Sequence, residues 1–113
     1  MTFTERRVDN VLVLAAVGRA DSTSAPTLEQ RLLGVIAAGE RRLVVDLGAV
    51  DYISSAALRV LLVAARRMQA AQGSWVLCRL SEAVRQVFVL AGFLPLFTIE
   101  PTAESAVARL AAV

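Results

Sequence analysis

The sequence predicts an α/β domain built on a mixed, mostly parallel β-sheet with helices packed against it. Two observations carry that prediction. Short apolar runs rich in β-branched residues alternate with amphipathic segments of helical period, and glycine, serine or proline marks the junctions. The chain has 113 residues, of which 57% are hydrophobic and 19% charged, enough to bury a core without disulfides or metal. One domain spanning 1–113 is expected, with no linker, repeat or low-complexity tract.

Taken in order, TFTERRVD at the start alternates loosely and is expected to pair across Asp9–Asn10, as a hairpin edge, with NVLVLAAVG at 10–18. That second run is apolar on both alternating sets of positions, as in a strand covered on both faces. Leu28, Leu32, Val35 and Ile36 then fall at helical spacing, between serines with Pro26 on one side and Gly39 on the other. RRLVVDLG at 41–48 predicts a second buried strand, interrupted by Asp46. From Ser54 or Ser55 to about Gln72, an apolar face of Leu58, Leu61, Leu62, Ala65 and Met68 opposes Arg59, Arg66 and Arg67, with Gly73 closing the helix.

SWVLCRL is the next strand. Ser81 caps a helix with Val84, Val87, Phe88 and Ala91 inward and Gly92 at its end, Leu96 to Ile99 form a last short strand, and Pro101 and Thr102 open a terminal helix. The resulting order is ββαβαβαβα, in which right-handed crossovers imply parallel strands beyond the first hairpin.

Composition excludes several chemistries. The chain has no histidine, which removes the usual general base and the commonest zinc ligand. All twelve basic residues are arginine, so neither a lysine Schiff base nor a P-loop lysine is available, and no glycine run cradles a phosphate. No cofactor and no metal is therefore expected. The net charge of +2 is modest and the arginines are spread along the chain, so nucleic acid is not an expected partner. Charged residues Glu5, Arg6, Arg7 and Asp9 break any signal-like apolar run, and no apolar stretch is long enough to cross a bilayer, so membrane insertion is not expected and a cytoplasmic location is. The single cysteine, Cys78, lies in an apolar run and reads as a small buried hydrophobe.

The segment DYISSAALRVLL places two serines between a strand-like and a helix-like run. A serine there is a good N-cap, worth about 1 kcal/mol, but two serines leave one to spare. If Ser54 is the cap, Ser55 projects from the first turn, where a phosphate would meet free backbone amides and the positive end of the helix dipole.

These residues carry a resemblance. VVDLGAVDYISSAAL, with GRADSTSAPTLEQRL before it and AGFLPLFTIEPTAESAV after it, resembles the STAS family, specifically its anti-sigma factor antagonists, over essentially the whole chain. The resemblance implies that Ser55 is phosphorylated by a partner anti-sigma factor that is also a serine kinase, that phosphorylation blocks binding, and that a phosphatase restores it. It implies a partner-binding surface of Asp21, Ser22 and Thr23 from one loop and Ser54, Ser55, Ala56, Ala57, Leu58 and Arg59 from the helix start. Asp46 matches an acid near the end of the preceding strand, with a structural role through backbone bonds. Ala57 stands where the family commonly has glycine, which would put a methyl group at the centre of the docking surface. Monomer and weak dimer are both left open.

Other readings exist within and outside the family. The runner-up is a STAS subunit that binds the ATPase of a lipid-transport ABC system, and a stressosome-like scaffold would usually carry extra sequence. An enzyme would need flanking glycines and a histidine for a nucleophile elbow, or a carboxylate pair from Asp21 and Asp46. Val89, Phe93 and Leu94 read as satellite core rather than as partner surface.

Overall fold

Strand pairing begins at the Asp9–Asn10 turn, where Asp9 takes a φ of +56°, a left-handed conformation that aspartate tolerates. The computed structural model describes residues 1–112. The turn joins β1 (Thr2–Val8) to β2 (Val11–Ala20), antiparallel from Val8 opposite Val11 to Thr2 opposite Val17. Along β2, Val11, Leu12, Val13 and Leu14 are all buried, as expected of a strand covered on both faces. Beyond it come α1 (Ala25–Ala37), β3 (Arg42–Ile53), α2 (Ser55–Ala70), β4 (Ser74–Cys78), α3 (Glu82–Leu90), β5 (Ile99–Glu100) and α4 (Ala103–Ala111).

The sheet order is β1-β2-β3-β4-β5, with every pair after the first hairpin parallel. Each crossover thus steps to the adjacent strand in the same direction, and a constant hand puts α1, α2 and α3 on one face. There Leu28, Leu32, Leu58, Leu61, Met68, Val84 and Phe88 pack on Leu12, Leu14, Leu43 and Val45. The opposite face is covered by α4, whose Ala103, Ala106, Val107 and Leu110 meet Val11, Val13, Val44, Val76 and Cys78. α4 starts with a capping box in which Thr102 and Ser105 satisfy each other's amides.

Three local outcomes differ from the sequence reading. β3 does not stop at Gly48 but continues to Ile53, because the second half of β2 stays in register with it across two irregularities, Val17 opposite Ala49 and Ala20 opposite Ile53. The last strand is only Ile99–Glu100: Pro95 sits in a 3-10 turn at Leu94–Leu96, which takes up the preceding residues. At the end of α2 the left-handed residue is Gln72, with a φ of +61°, not Gly73. The amide of Gly73 donates to the Met68 carbonyl at 2.9 Å and that of Gln72 to Gln69 at 3.0 Å, a Schellman closure. Glycine is needed at 73 for space, since a Cβ there would collide with the Met68 sulfur and lie 3.1 Å from the Arg41 carbonyl oxygen.

Candidate functional site at the start of helix α2

The site forms where β2 and β3 end side by side. Ala20 pairs with Ile53, and the next amide, that of Ser54, donates to the Ala20 carbonyl at 2.7 Å. That bond ties the loop after β2 to the start of α2. Ser54 is extended, with φ −88° and ψ 167°, and its hydroxyl oxygen accepts the Ala57 amide at 3.1 Å, so Ser54 is the N-cap. Ser55, the first helical residue, is exposed, and among the described residues its hydroxyl has no hydrogen-bond partner. One turn on, Arg59 is also exposed, and α2 carries Arg59, Arg66 and Arg67 with no acidic residue. Arg59 thus adds a cation near the positive end of the helix dipole, whereas Arg66 and Arg67 lie at the far end of α2.

The facing loop is held by Asp21. Its Oδ1 accepts the amides of Thr23 and Ser24, each at 3.0 Å. The backbone bond from Ser24, ahead of the other contacts, holds the Asp21 carboxyl below its ordinary range. Ser24, one of the serines at the head of α1, makes no side-chain cap: its hydroxyl donates to the Arg19 carbonyl at 2.6 Å and accepts the Asp21 amide at 3.0 Å, closing the loop on itself. Ser22 and Thr23 are exposed at its tip.

Sequence reasoning missed two neighbours. The guanidinium of Arg19 lies over the Tyr52 ring, 3.8 Å from its centroid, and its Nε is 3.4 Å from Asp21 Oδ2. Both lie past the strand ends read from the sequence, and only the register of the two parallel strands sets Arg19 opposite Tyr52.

Several expected residues sit elsewhere. Ala57 and Leu58 are 0% and 1% exposed, so their side chains enter the core under α2 and are not docking surface. The methyl group of Ala57 consequently does not stand at the centre of that surface. Asp46 is buried in mid-strand, where it accepts the Gly48 amide at 2.8 Å and an Arg79 nitrogen at 3.1 Å. The backbone bond matches its expected role, but the residue braces β3 against the end of β4: the strand from Asp46 to Ile53 spans about 20 Å, well away from Ser55.

Asp46 lies beside Ala15 on β2, and Asp21 follows Ala20, so the two carboxylates are roughly 15 to 20 Å apart, too far for a shared acid-base pair. Phe93 and Leu94 pack partly buried against the core, as expected, whereas Val89 is 46% exposed, because α3 turns that position away from the sheet. Among the described residues there is no group of metal-ligating side chains and no helix long and apolar enough to cross a membrane.

What this arrangement offers chemically is a presented hydroxyl at the positive end of a helix rather than a nucleophile with a base. The comparisons with known proteins agree in family. The model of the STAS domain matches residues 3–106. BtrV of Bordetella bronchiseptica, assigned as an anti-sigma factor antagonist, is 43% identical over 108 residues, covering 96% of this chain and 93% of that protein. The crystal structure of an anti-sigma factor antagonist from Mycobacterium paratuberculosis superposes with a TM-score of 0.88 at 28% identity, over 97% of this chain and 93% of the other. The anti-sigma factor antagonist SpoIIAA in its unphosphorylated form shares the fold, with a TM-score of 0.81 at 21% identity over 99% and 98% of the two chains. The Bacillus cell fate determinant SpoIIAA in its phosphorylated form gives a TM-score of 0.71 at 21% identity, over 96% and 98%. A matched family model, a close relative over nearly its full length and a shared fold lead to one conclusion: this chain belongs to the STAS domain family.

Proposed function

We propose that this chain is an anti-sigma factor antagonist that binds an anti-sigma factor with serine kinase activity and is released from it when Ser55 is phosphorylated. It works by binding, without catalysis of its own, in the cytoplasm, and a cognate phosphatase resets it. The observation that carries the reading is the division of labour between the two serines. Ser54 spends its hydroxyl on the helix, while Ser55 presents an exposed hydroxyl with no bond to lose. Two relatives support it: BtrV is assigned as an antagonist, and SpoIIAA is a STAS-fold protein that exists in both phosphorylation states.

The switch needs no refolding. A phosphate on Ser55 adds about 1.5 to 2 negative charges at the end of α2, where the free amides of the first turn and Arg59 accommodate it. Buried in an interface, the same charge costs desolvation and repels acidic groups opposite. The surface involved is Asp21, Ser22 and Thr23 with Ser54, Ser55, Ala56 and Arg59; Ala57 and Leu58 support it from beneath.

The test is calorimetric titration of the anti-sigma factor kinase with the unphosphorylated protein, with enzymatically phosphorylated protein, and with Ser55→Asp. Binding by the first and loss of at least tenfold in affinity by the second support the proposal. Equal affinity of the two forms contradicts it. Recovery from cell extract of an ABC ATPase with its permease, and of no kinase, would favour the transport-subunit reading.

A further inference from the structure

We infer that Arg19, held on the face of Tyr52, is a preformed anchor for a carboxylate on the protein partner; the inference rests on the binding function proposed above and names the chemistry that the partner must present. The sheet makes this anchor by outrunning its cover. α4 covers the early parts of the strands through Val11, Val13, Val44 and Val76. Further along the same face, Val17 and Tyr52 are 41% and 38% exposed, two of the few large apolar side chains left open. Ala16 and Ala20 are buried on the other face, so Val17 and Arg19 share the open one.

The parallel register sets Arg19 opposite Tyr52, and the guanidinium stacks 3.8 Å from the ring centroid. Its Nε faces Asp21 Oδ2 at 3.4 Å. The stack and the ion pair hold the side chain from two sides, yet its two terminal nitrogens have no partner among the described residues. The side chain is 62% exposed, so the stack and the ion pair restrain it without burying it; a restrained arginine gives up less rotamer freedom on binding, and its fork matches a carboxylate in two-pronged geometry. Tyrosine and arginine are also among the residue types that dominate binding energy at protein interfaces.

Its place ties the anchor to the switch. Tyr52 precedes Ser55 by three residues, and Arg19 lies in the strand that leads into the Asp21 loop. A partner carboxylate seated on Arg19 therefore lies at the same end of the sheet as the phosphate that phosphorylated Ser55 would carry. Arg19 stands on the α4 side of that end and Ser55 at the head of a helix on the other side, so a partner that meets both must wrap the end of the sheet.

The experiment measures affinity for the anti-sigma factor kinase by calorimetry for wild type, Arg19→Ala, Arg19→Lys, Tyr52→Phe, Tyr52→Ala and the double variant Arg19→Ala/Tyr52→Ala, with Arg109→Ala on α4 as a remote control. Phosphate transfer to Ser55 at saturating kinase and ATP is measured in parallel. Arg19→Ala is expected to weaken binding about 10- to 30-fold, as at an interface hot spot. Arg19→Lys, which keeps the charge but loses the fork, is expected to lose several-fold. Tyr52→Phe should bind as wild type, and Tyr52→Ala should add little to Arg19→Ala, since the two act as a unit. Unchanged melting temperatures keep the losses on the surface. Wild-type binding and phosphorylation with Arg19→Ala binding equally tightly would overturn the anchor and leave the function standing. Absence of both binding and phosphorylation in wild type would overturn the two together.

Discussion

Replacing Ser54 by alanine removes a bond that α2 depends on, and replacing Ser55 removes none. The Ser54 hydroxyl satisfies the Ala57 amide at 3.1 Å at the head of a helix whose Ala57, Leu58 and Leu61 lie in the core. Loss of such a cap costs about 1 kcal/mol, within a range of roughly 0.5 to 2. For a domain of this size that corresponds to a fall in Tm of about 3 to 6 °C. Ser55 is exposed with an unbonded hydroxyl, so Ser55→Ala should leave stability within about 0.5 kcal/mol, with a small gain from the better helix propensity of alanine. Urea unfolding followed by circular dichroism measures both variants, and the midpoint is expected to move for Ser54→Ala alone. A Ser55→Ala variant that loses 1 kcal/mol or more, beside a Ser54→Ala variant that loses nothing, would refute the assignment of cap and presented serine.

Gly73→Ala should destabilise by about 1 to 3 kcal/mol in the same assay, because its methyl collides with Met68. Gly34→Ala, which meets open space within α1, should instead stabilise by up to about 1 kcal/mol; the reverse order would contradict the packing described at the end of α2. Cys78 is fully buried, and burial, followed by the charge of Asp46, pushes its thiol up to about 12, so a disulfide reagent at pH 8 should label it only after unfolding. Rapid labelling of the native protein would contradict its place in the core.

Asp21 should titrate below its ordinary value of 3.8, chiefly through the backbone bond from Ser24. A carboxyl depressed on folding stabilises the loop fully above its unfolded pKa and loses that contribution as pH falls through the folded one. The loop amides of Thr23 and Ser24 should therefore shift in NMR spectra together with the carboxyl carbon, with a midpoint below the ordinary value of 3.8. A midpoint at or above the ordinary value would contradict the hydrogen bonding of the loop.

Much of this architecture was legible because local signals agreed with the global fold. Asp9–Asn10 between apolar runs marked the hairpin, and helices spaced between β-branched runs marked the parallel crossovers. The full length of β3 was not legible: the run before the serines reads strand-like, but its continuity with 41–48 through Gly48 comes only from pairing with the far half of β2. Propensity also says nothing of the last strand, which keeps two residues because Pro95 takes the chain through a 3-10 turn first.

At the site, the serine pair was visible, but which serine caps was settled by the Ala57 amide. The burial of Ala57 was available in the sequence, because Ala57, Leu61, Ala64 and Met68 recur at helical spacing; small alanines were simply outweighed by the larger Leu62 as markers of the apolar face. Asp46 was misplaced with the strand end, and Arg19 with Tyr52 escaped notice, for the same reason: register between strands is a property of the pair.

The central claim, that Ser55 is the switch, is tested most directly by the intact mass of the protein after incubation with the anti-sigma factor kinase and ATP, alongside Ser54→Ala and Ser55→Ala. The account predicts one added phosphate on wild type and on Ser54→Ala and none on Ser55→Ala. No phosphate on wild type while the complex still forms, or a phosphate that persists in Ser55→Ala, would contradict it.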